Sequence, residues 1–144
     1  MTTIQKFEDL RCWKSARELV KMVYVITNDG LFQRDFGLRD QIRRAAISEL
    51  SNIAEGFGSG SDSEFIRFLG YSRRSVSETQ SQLYIAVDIN YLTQEQFEAI
   101  YKKANDTERQ VNAFISYLAK SKQSSIRDAE TPYTIEHPDD LSDF

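Results

Sequence analysis

The sequence is poor in the residues that staple, break or switch a fold. Among its 144 residues there are one cysteine, one histidine and two prolines. Cys12 has no second thiol with which to close an internal disulfide, which fits a reducing cytoplasm. Its position among apolar residues predicts packing rather than reactivity. His137 is far from Cys12 and has no ligand-spaced companion, so no metal site is legible. No apolar run approaches the roughly 20 residues that span a bilayer. The first ten residues lack the basic-then-apolar pattern of a signal peptide. Serines are plentiful, at 48, 51, 59, 61, 63, 72, 75, 77 and 81, but none has a nearby histidine to act as a base. The phosphate-cradling Gly-x-x-x-x-Gly-Lys pattern is absent. These absences argue against an enzyme, a cofactor, a metal centre and a membrane span. The expectation is a cytoplasmic, non-enzymatic protein.

What is present divides the chain in two. Residues 1–120 hold 16 Lys+Arg and 16 Asp+Glu, whereas residues 121–144 hold 2 and 6, so the tail supplies the whole net charge of −4. Pro132 and Pro138 are also in the tail. The body is thus neutral and free of proline, and reads as one domain. The tail reads as an acidic, extended or disordered segment. Tyr133, Ile135, Leu141 and Phe144 are spaced among its acids, as in a short docking motif.

The body carries helical periodicity almost throughout. Leu10, Trp13, Ala16, Leu19 and Val23 predict a first helix over about residues 9–28, closed by Asn28-Asp29-Gly30. Residues 31–35 read as a short connection, and Phe7 as part of an arm folding back on the bundle. Leu38, Ile42, Ala46, Leu50, Ile53 and Phe57 mark one face of a second helix starting near Phe36. Gly56, Gly58 and Gly60 predict the turn that stops it. Ser61 with Glu64, and Thr93 with Gln96, have the capping-box spacing and open a third and a fourth helix. The third runs to about Ile89 and the fourth fades near Lys120. Gly70 lies inside the third helix, where close helix packing is the expected compensation for its cost. Short connections make consecutive helices antiparallel neighbours, so the expected fold is all-α, an up-down-up-down four-helix bundle.

The most specific text is Phe7-Glu8-Asp9-Leu10 with Trp13 and Ala16, then Gly37-Leu38 with Gln41-Ile42-Arg43-Arg44-Ala45-Ala46. Ser51-Asn52-Ile53-Ala54-Glu55-Gly56 follows, then Glu64-Phe65 with Phe68-Leu69, Ser75, Glu78, Gln82-Leu83, Ala86 and Tyr91-Leu92. In this order the residues resemble the bacterial 23S rRNA-intervening sequence proteins. Relatives of that family include the accessory variability determinant of diversity-generating retroelements. The resemblance covers about residues 7–120 and leaves the tail outside. It implies a homopentameric ring or barrel of bundles with no known enzymatic activity. In the retroelement branch it implies binding to nucleic acid and to a reverse transcriptase. Two positions depart from the pattern: Arg74 stands where the family often has Gly, and Thr79 where Leu is usual.

Two functional readings follow. In the first, the protein binds RNA or DNA through Arg39, Arg43, Arg44, Arg67, Arg73 and Arg74, joined by Arg11, Lys14, Arg17 and Lys21. A guanidinium suits phosphate because its planar fork donates two parallel bonds. The bland counterpart is that these cations are solvated and paired with Glu18, Asp40, Glu49 and Glu78. In the second, the protein is an assembly or adaptor scaffold that contacts other proteins through its ring surface or acidic tail. Asn52, Glu55 and Gly56 read as structural or interface residues beside the second helix's apolar face.

Overall fold

In the computed structural model, residues 2–121 and 133–135 are described, and the body is helical. The elements in order are a strand β1 (Thr2–Ile4), a 3-10 turn (Phe7–Asp9), α1 (Arg11–Thr27), α2 (Gly30–Arg34), α3 (Phe36–Phe57), α4 (Asp62–Asp88), α5 (Gln94–Lys120) and β2 (Tyr133–Ile135). Four long helices thus form a helical bundle, with α2 as a short bridge between α1 and α3. β1 and β2 pair antiparallel, with Thr2 opposite Ile135 and Ile4 opposite Tyr133. Part of the tail is therefore anchored to the N-terminal arm. The expectation for Leu141 and Phe144 lies outside the described residues, as does the rest of the tail beyond Ser121.

The helix starts follow the capping chemistry in the sequence. The Thr93 hydroxyl accepts from the Gln96 amide at 3.1 Å, and the Gln96 side chain accepts from the Thr93 amide at 2.9 Å, which completes the capping box of α5. At α4 only half of the box forms. Ser61 Oγ accepts from the Glu64 amide at 3.1 Å, while the Glu64 carboxylate pairs with Arg67 at 2.9 Å. Asp35 caps α3 by accepting from the Leu38 amide at 3.1 Å. Its other oxygen accepts from the Tyr91 hydroxyl at 3.0 Å, tying the α4–α5 turn to the start of α3.

Two apolar clusters fill the interior. Leu10, Cys12, Ala16, Ile53, Phe65, Leu69, Val111, Phe114 and Leu118 pack at one end with Ile4. Leu19, Val23, Phe32, Ile42, Ala46, Val76, Leu83 and Ala86 pack at the other with Leu92, Phe97, Ile100 and Ala104. Cys12 is core, as expected, and burial pushes its thiol up to about 12, so it is held as a neutral apolar group. Phe7 sits in the 3-10 turn with its ring 5.2 Å from Trp13, so the arm does fold back.

Two glycines behave differently from the sequence expectation. Gly56 does not stop α3; the helix continues through Phe57, with Gly58 as its cap. Gly56 is needed because a Cβ there would sit 2.6 Å from Phe65 Cδ2 and 2.8 Å from Phe68 Cβ. It is the close approach of α4, rather than a turn, that requires glycine. Gly70 is the reverse case. A Cβ built on it meets nothing within 4 Å, so among the described residues nothing fills the place of its missing side chain. A glycine in a helix interior costs about 1 kcal/mol relative to alanine, and nothing within the described residues offsets that cost.

Candidate nucleic-acid interface

The candidate arginines separate into two groups. Arg39 and Arg43 are built into the end of the bundle where α1, α2 and α3 meet. Arg39 Nε lies 3.1 Å from the neighbouring Asp40 carboxylate, one of its amino groups donates to the Gln33 carbonyl at 3.0 Å, and its guanidinium lies 4.7 Å above the Phe36 ring. Arg43 Nε donates to Thr27 Oγ1 at 2.8 Å, with its guanidinium 4.4 Å above Tyr24. Both side chains hold neighbouring segments together.

The second group faces outward. Arg44 is exposed on α3. Arg73 is exposed on α4 and donates to Asn112 Oδ1 on α5 at 3.2 Å. Arg67 and Arg74 flank Tyr71 on one stripe of α4, with their guanidinium carbons 5.9 and 5.6 Å from its ring centre. Tyr71 is 36% exposed and was not singled out from the sequence. The signal was present: Arg67, Tyr71 and Arg74 recur at helical spacing, an aromatic between two cations.

A second cationic face lies along α1. Lys14, Arg17 and Lys21 line a shallow depression with Trp13, Glu8 and Glu18, and Arg17 lies 5.7 Å from the Trp13 ring centre. Across the groove to α5, Arg11 and Lys14 come together with Lys103 and Arg109. Glu18 pairs with Lys103 at 2.6 Å, and Lys103 holds the Glu18 carboxyl below its ordinary range. Arg109 pairs with Asp106 at 3.2 Å.

Of the expected acidic partners of the arginines, Glu18 and Asp40 are paired on the surface and Glu78 is exposed, but Glu49 is not on a solvated face. Its side chain is fully buried between α3 and α4. Desolvation pushes its carboxyl up to about 8, against the opposing pull of the Thr79 hydroxyl and with the nearby Glu78 charge adding to the rise. Thr79 Oγ1 has one proton and two oxygen neighbours, Glu49 Oε1 at 2.6 Å and the Ser75 carbonyl at 3.0 Å. With one proton, Thr79 donates to Glu49 Oε1 or to the Ser75 carbonyl, and Glu49 Oε2 has no hydrogen-bond partner among the described residues. Thr79 is thus the side-chain partner of the buried acid. Ser72 Oγ donates to the Glu49 carbonyl at 2.8 Å, and Ser75 Oγ lies 2.9 Å from Ser48 Oγ.

The structural residues beside this seam are accounted for in part. Asn52 donates to the Ser48 carbonyl at 2.8 Å and lies 3.0 Å from its hydroxyl, within its own helix. Glu55 is exposed near the end of α3. Among the described residues no group of three or more His, Cys, Asp or Glu could hold a metal ion, and no helix is long and apolar enough to cross a membrane.

Residues 8–113, most of the bundle, match the family described as 23S rRNA-intervening sequence protein. The chain belongs to that family. A solved structure from Bacteroides thetaiotaomicron, described as a protein of unknown function from the S23 ribosomal protein family, is similar with a TM-score of 0.67. The two share 24% identity over 73% of this chain and 95% of the other, a likeness that speaks for the fold. No curated protein matches the chain. The match to the 23S rRNA-intervening sequence proteins spans every long helix and both cationic faces, apart from the last residues of α5. It ends before the acidic tail.

Proposed function

We propose that the chain is a non-enzymatic, oligomeric nucleic-acid-binding protein, and an accessory to a reverse transcriptase or another retroelement component. Its four long helices run up-down-up-down. Supporting this, contacts descend along one helix as they ascend along its neighbour: Glu49 meets Thr79 while Gly56 meets Phe65, and Ser15 meets Thr107 while Glu18 meets Lys103. Five such bundles form a ring in the cytoplasm, as family resemblance implies, so each cationic face is repeated five times.

One observation carries the reading. Lys14, Arg17 and Lys21 on α1, and Arg44, Arg73 and Arg74 on α3 and α4, have no carboxylate within ion-pair distance among the described residues, whereas Arg39, Arg67, Lys103 and Arg109 do. Unpaired outward cations in a body of zero net charge provide local positive faces without a basic composition. Such faces suit phosphate, and their binding weakens as salt rises because condensed counterions are released.

The test is titration of labelled RNA and duplex DNA across a salt series, with mass followed by light scattering. The expected result is micromolar or tighter binding at low salt. It is lost in an Arg44→Glu/Arg74→Glu or a Lys14→Glu/Arg17→Glu variant of unchanged mass. No binding at low salt by a stable oligomer would overturn it. A second reading, a protein-binding scaffold, is favoured by the anchored tail strand and by exposed apolar Leu31, Phe36, Ile85 and Ile89. It predicts salt-insensitive capture of a partner that is lost on removal of residues 122–144.

A further inference from the structure

Gly70 is a helix-interior glycine without an internal reason. It lies well inside α4, its backbone is not in the left-handed region, and a Cβ there would meet no neighbouring atom within 4 Å among the described residues. The missing side chain therefore leaves open space beside the half-buried backbone at Gly70. Arg67 and Arg74, at positions −3 and +4, share its stripe, and Tyr71, at +1, lies beside it about 100° further around the helix.

The Tyr71 ring is also braced. Phe68 meets it edge-on, with centroids 5.9 Å apart and planes at 87°. Phe68 in turn is wedged over Gly56 of α3, where a Cβ would come within 2.8 Å of its own. The chain of contacts from Gly56 through Phe68 to Tyr71 fixes an aromatic ring at the surface, and two guanidiniums lie against it. Arg67 also pairs with Glu64 at 2.9 Å, but both side chains are about half exposed, and such a pair yields readily to a phosphate.

We infer that the Arg67–Gly70–Tyr71–Arg74 stripe is a stacking site for single-stranded nucleic acid, a reading that rests on the nucleic-acid function proposed above. An unpaired base stacks on Tyr71 or on a guanidinium plane, Arg67 and Arg74 take the flanking phosphates, and the strand's sugar approaches the bare backbone at Gly70. Each part matches a need of a single strand: π-surface for a base, cations for phosphate, and room for close approach. A duplex keeps its bases stacked internally and gains only the phosphate contacts.

The experiment compares the full chain with Gly70→Ala, Tyr71→Leu and Tyr71→Trp variants. The probes are a fluorescein-labelled 20-nucleotide single-stranded RNA, the same sequence as single-stranded DNA, and the corresponding duplex DNA, all at low salt. Melting temperature and light-scattering mass are measured in parallel. Alanine at position 70 raises the melting temperature by a few degrees and yet weakens single-strand binding at least about fivefold, with duplex binding and mass unchanged. Leucine at 71 weakens single-strand binding by about tenfold, as loss of one base stack does, and tryptophan retains it. A difference between the RNA and DNA single strands identifies which is preferred.

Wild type that binds single strands while both Gly70→Ala and Tyr71→Leu bind equally well overturns this site and leaves the broader function standing. Wild type that binds no nucleic acid at all overturns both. A fall in melting temperature or in mass with Gly70→Ala also overturns the site, because Gly70 would then be packed, in the second case against another copy.

Discussion

Glu49 is a carboxyl at a position where a solvated charge does not fit. Residues 42, 45, 46, 49, 53 and 56 recur at helical spacing and all are buried. Its period placed it on the inner face of α3, while its charge argued for the outer one, and the period won. Protonation resolves the conflict, so its folded-state value of about 8 stands above the unfolded 4.5. Between those values the folded chain binds the extra proton, and stability falls as pH rises through the window. The slope from one proton is at most about 1.4 kcal/mol per pH unit. Gln at position 49 can donate to Thr79 without titrating. Urea unfolding at pH 5 to 9 should therefore find Glu49→Gln nearly equal to wild type at pH 5 and clearly more stable at pH 9. A difference between the two proteins that does not change with pH would show that Glu49 ionises freely in the fold. Of the charged groups among the described residues, Glu78 also raises this carboxyl, so a Glu78→Gln background should narrow the shift without abolishing it.

At the scale of elements, the four long helices were legible because apolar spacing, capping pairs and stop signals agreed with one another. What stayed hidden was set by contacts between elements. The five-residue α2 is too short to present a period, and it stands where a plain connection was expected. The three-residue pairing of β1 with β2 joins positions more than 125 residues apart in sequence, which no local pattern encodes. The roles of Gly56 and Gly70 exchanged, because whether a glycine is needed depends on what lies across from it. The Asp35–Tyr91 bond is of the same kind. Each oxygen of Asp35 has its own task, one capping α3 and the other holding the α4–α5 turn. The carboxylate also raises the Tyr91 hydroxyl above its ordinary range, chiefly through that hydrogen bond. Tyr91→Phe should lower stability only slightly, and Asp35→Ala more, because the cap goes with the tether. In the double variant the phenylalanine should add almost nothing. Additive costs in that cycle would mean the two residues act independently.

For the whole molecule, the proposed ring raises the question of where copies would meet. The turn between α4 and α5 closes over α2, with the Phe32 and Tyr91 rings 5.3 Å apart, and Asp35 joins it there. On this end Leu31 and Phe36 are 62% and 64% exposed, and Ile85 and Ile89, in the last turn of α4 and at its cap, are 48% and 45% exposed. Isolated apolar side chains on a surface need no explanation, but four at one end of a bundle form the kind of surface that copies bury. The cationic stripe from Arg67 to Arg74 ends about three turns before Ile85 on α4, so covering this end does not by itself cover it. The two surfaces therefore separate in a mutational test. On the proposed ring of five, about 83 kDa at 16.6 kDa per chain, an Ile85→Glu/Ile89→Glu variant should keep its helical content and fall in mass towards a single chain. On the same proposal its nucleic-acid binding should weaken far more than any local effect at Arg74, because five weak faces on one particle would act at high effective concentration and one face would not. If the variant keeps its mass, copies meet elsewhere, and the apolar end becomes the first place to look for a protein partner.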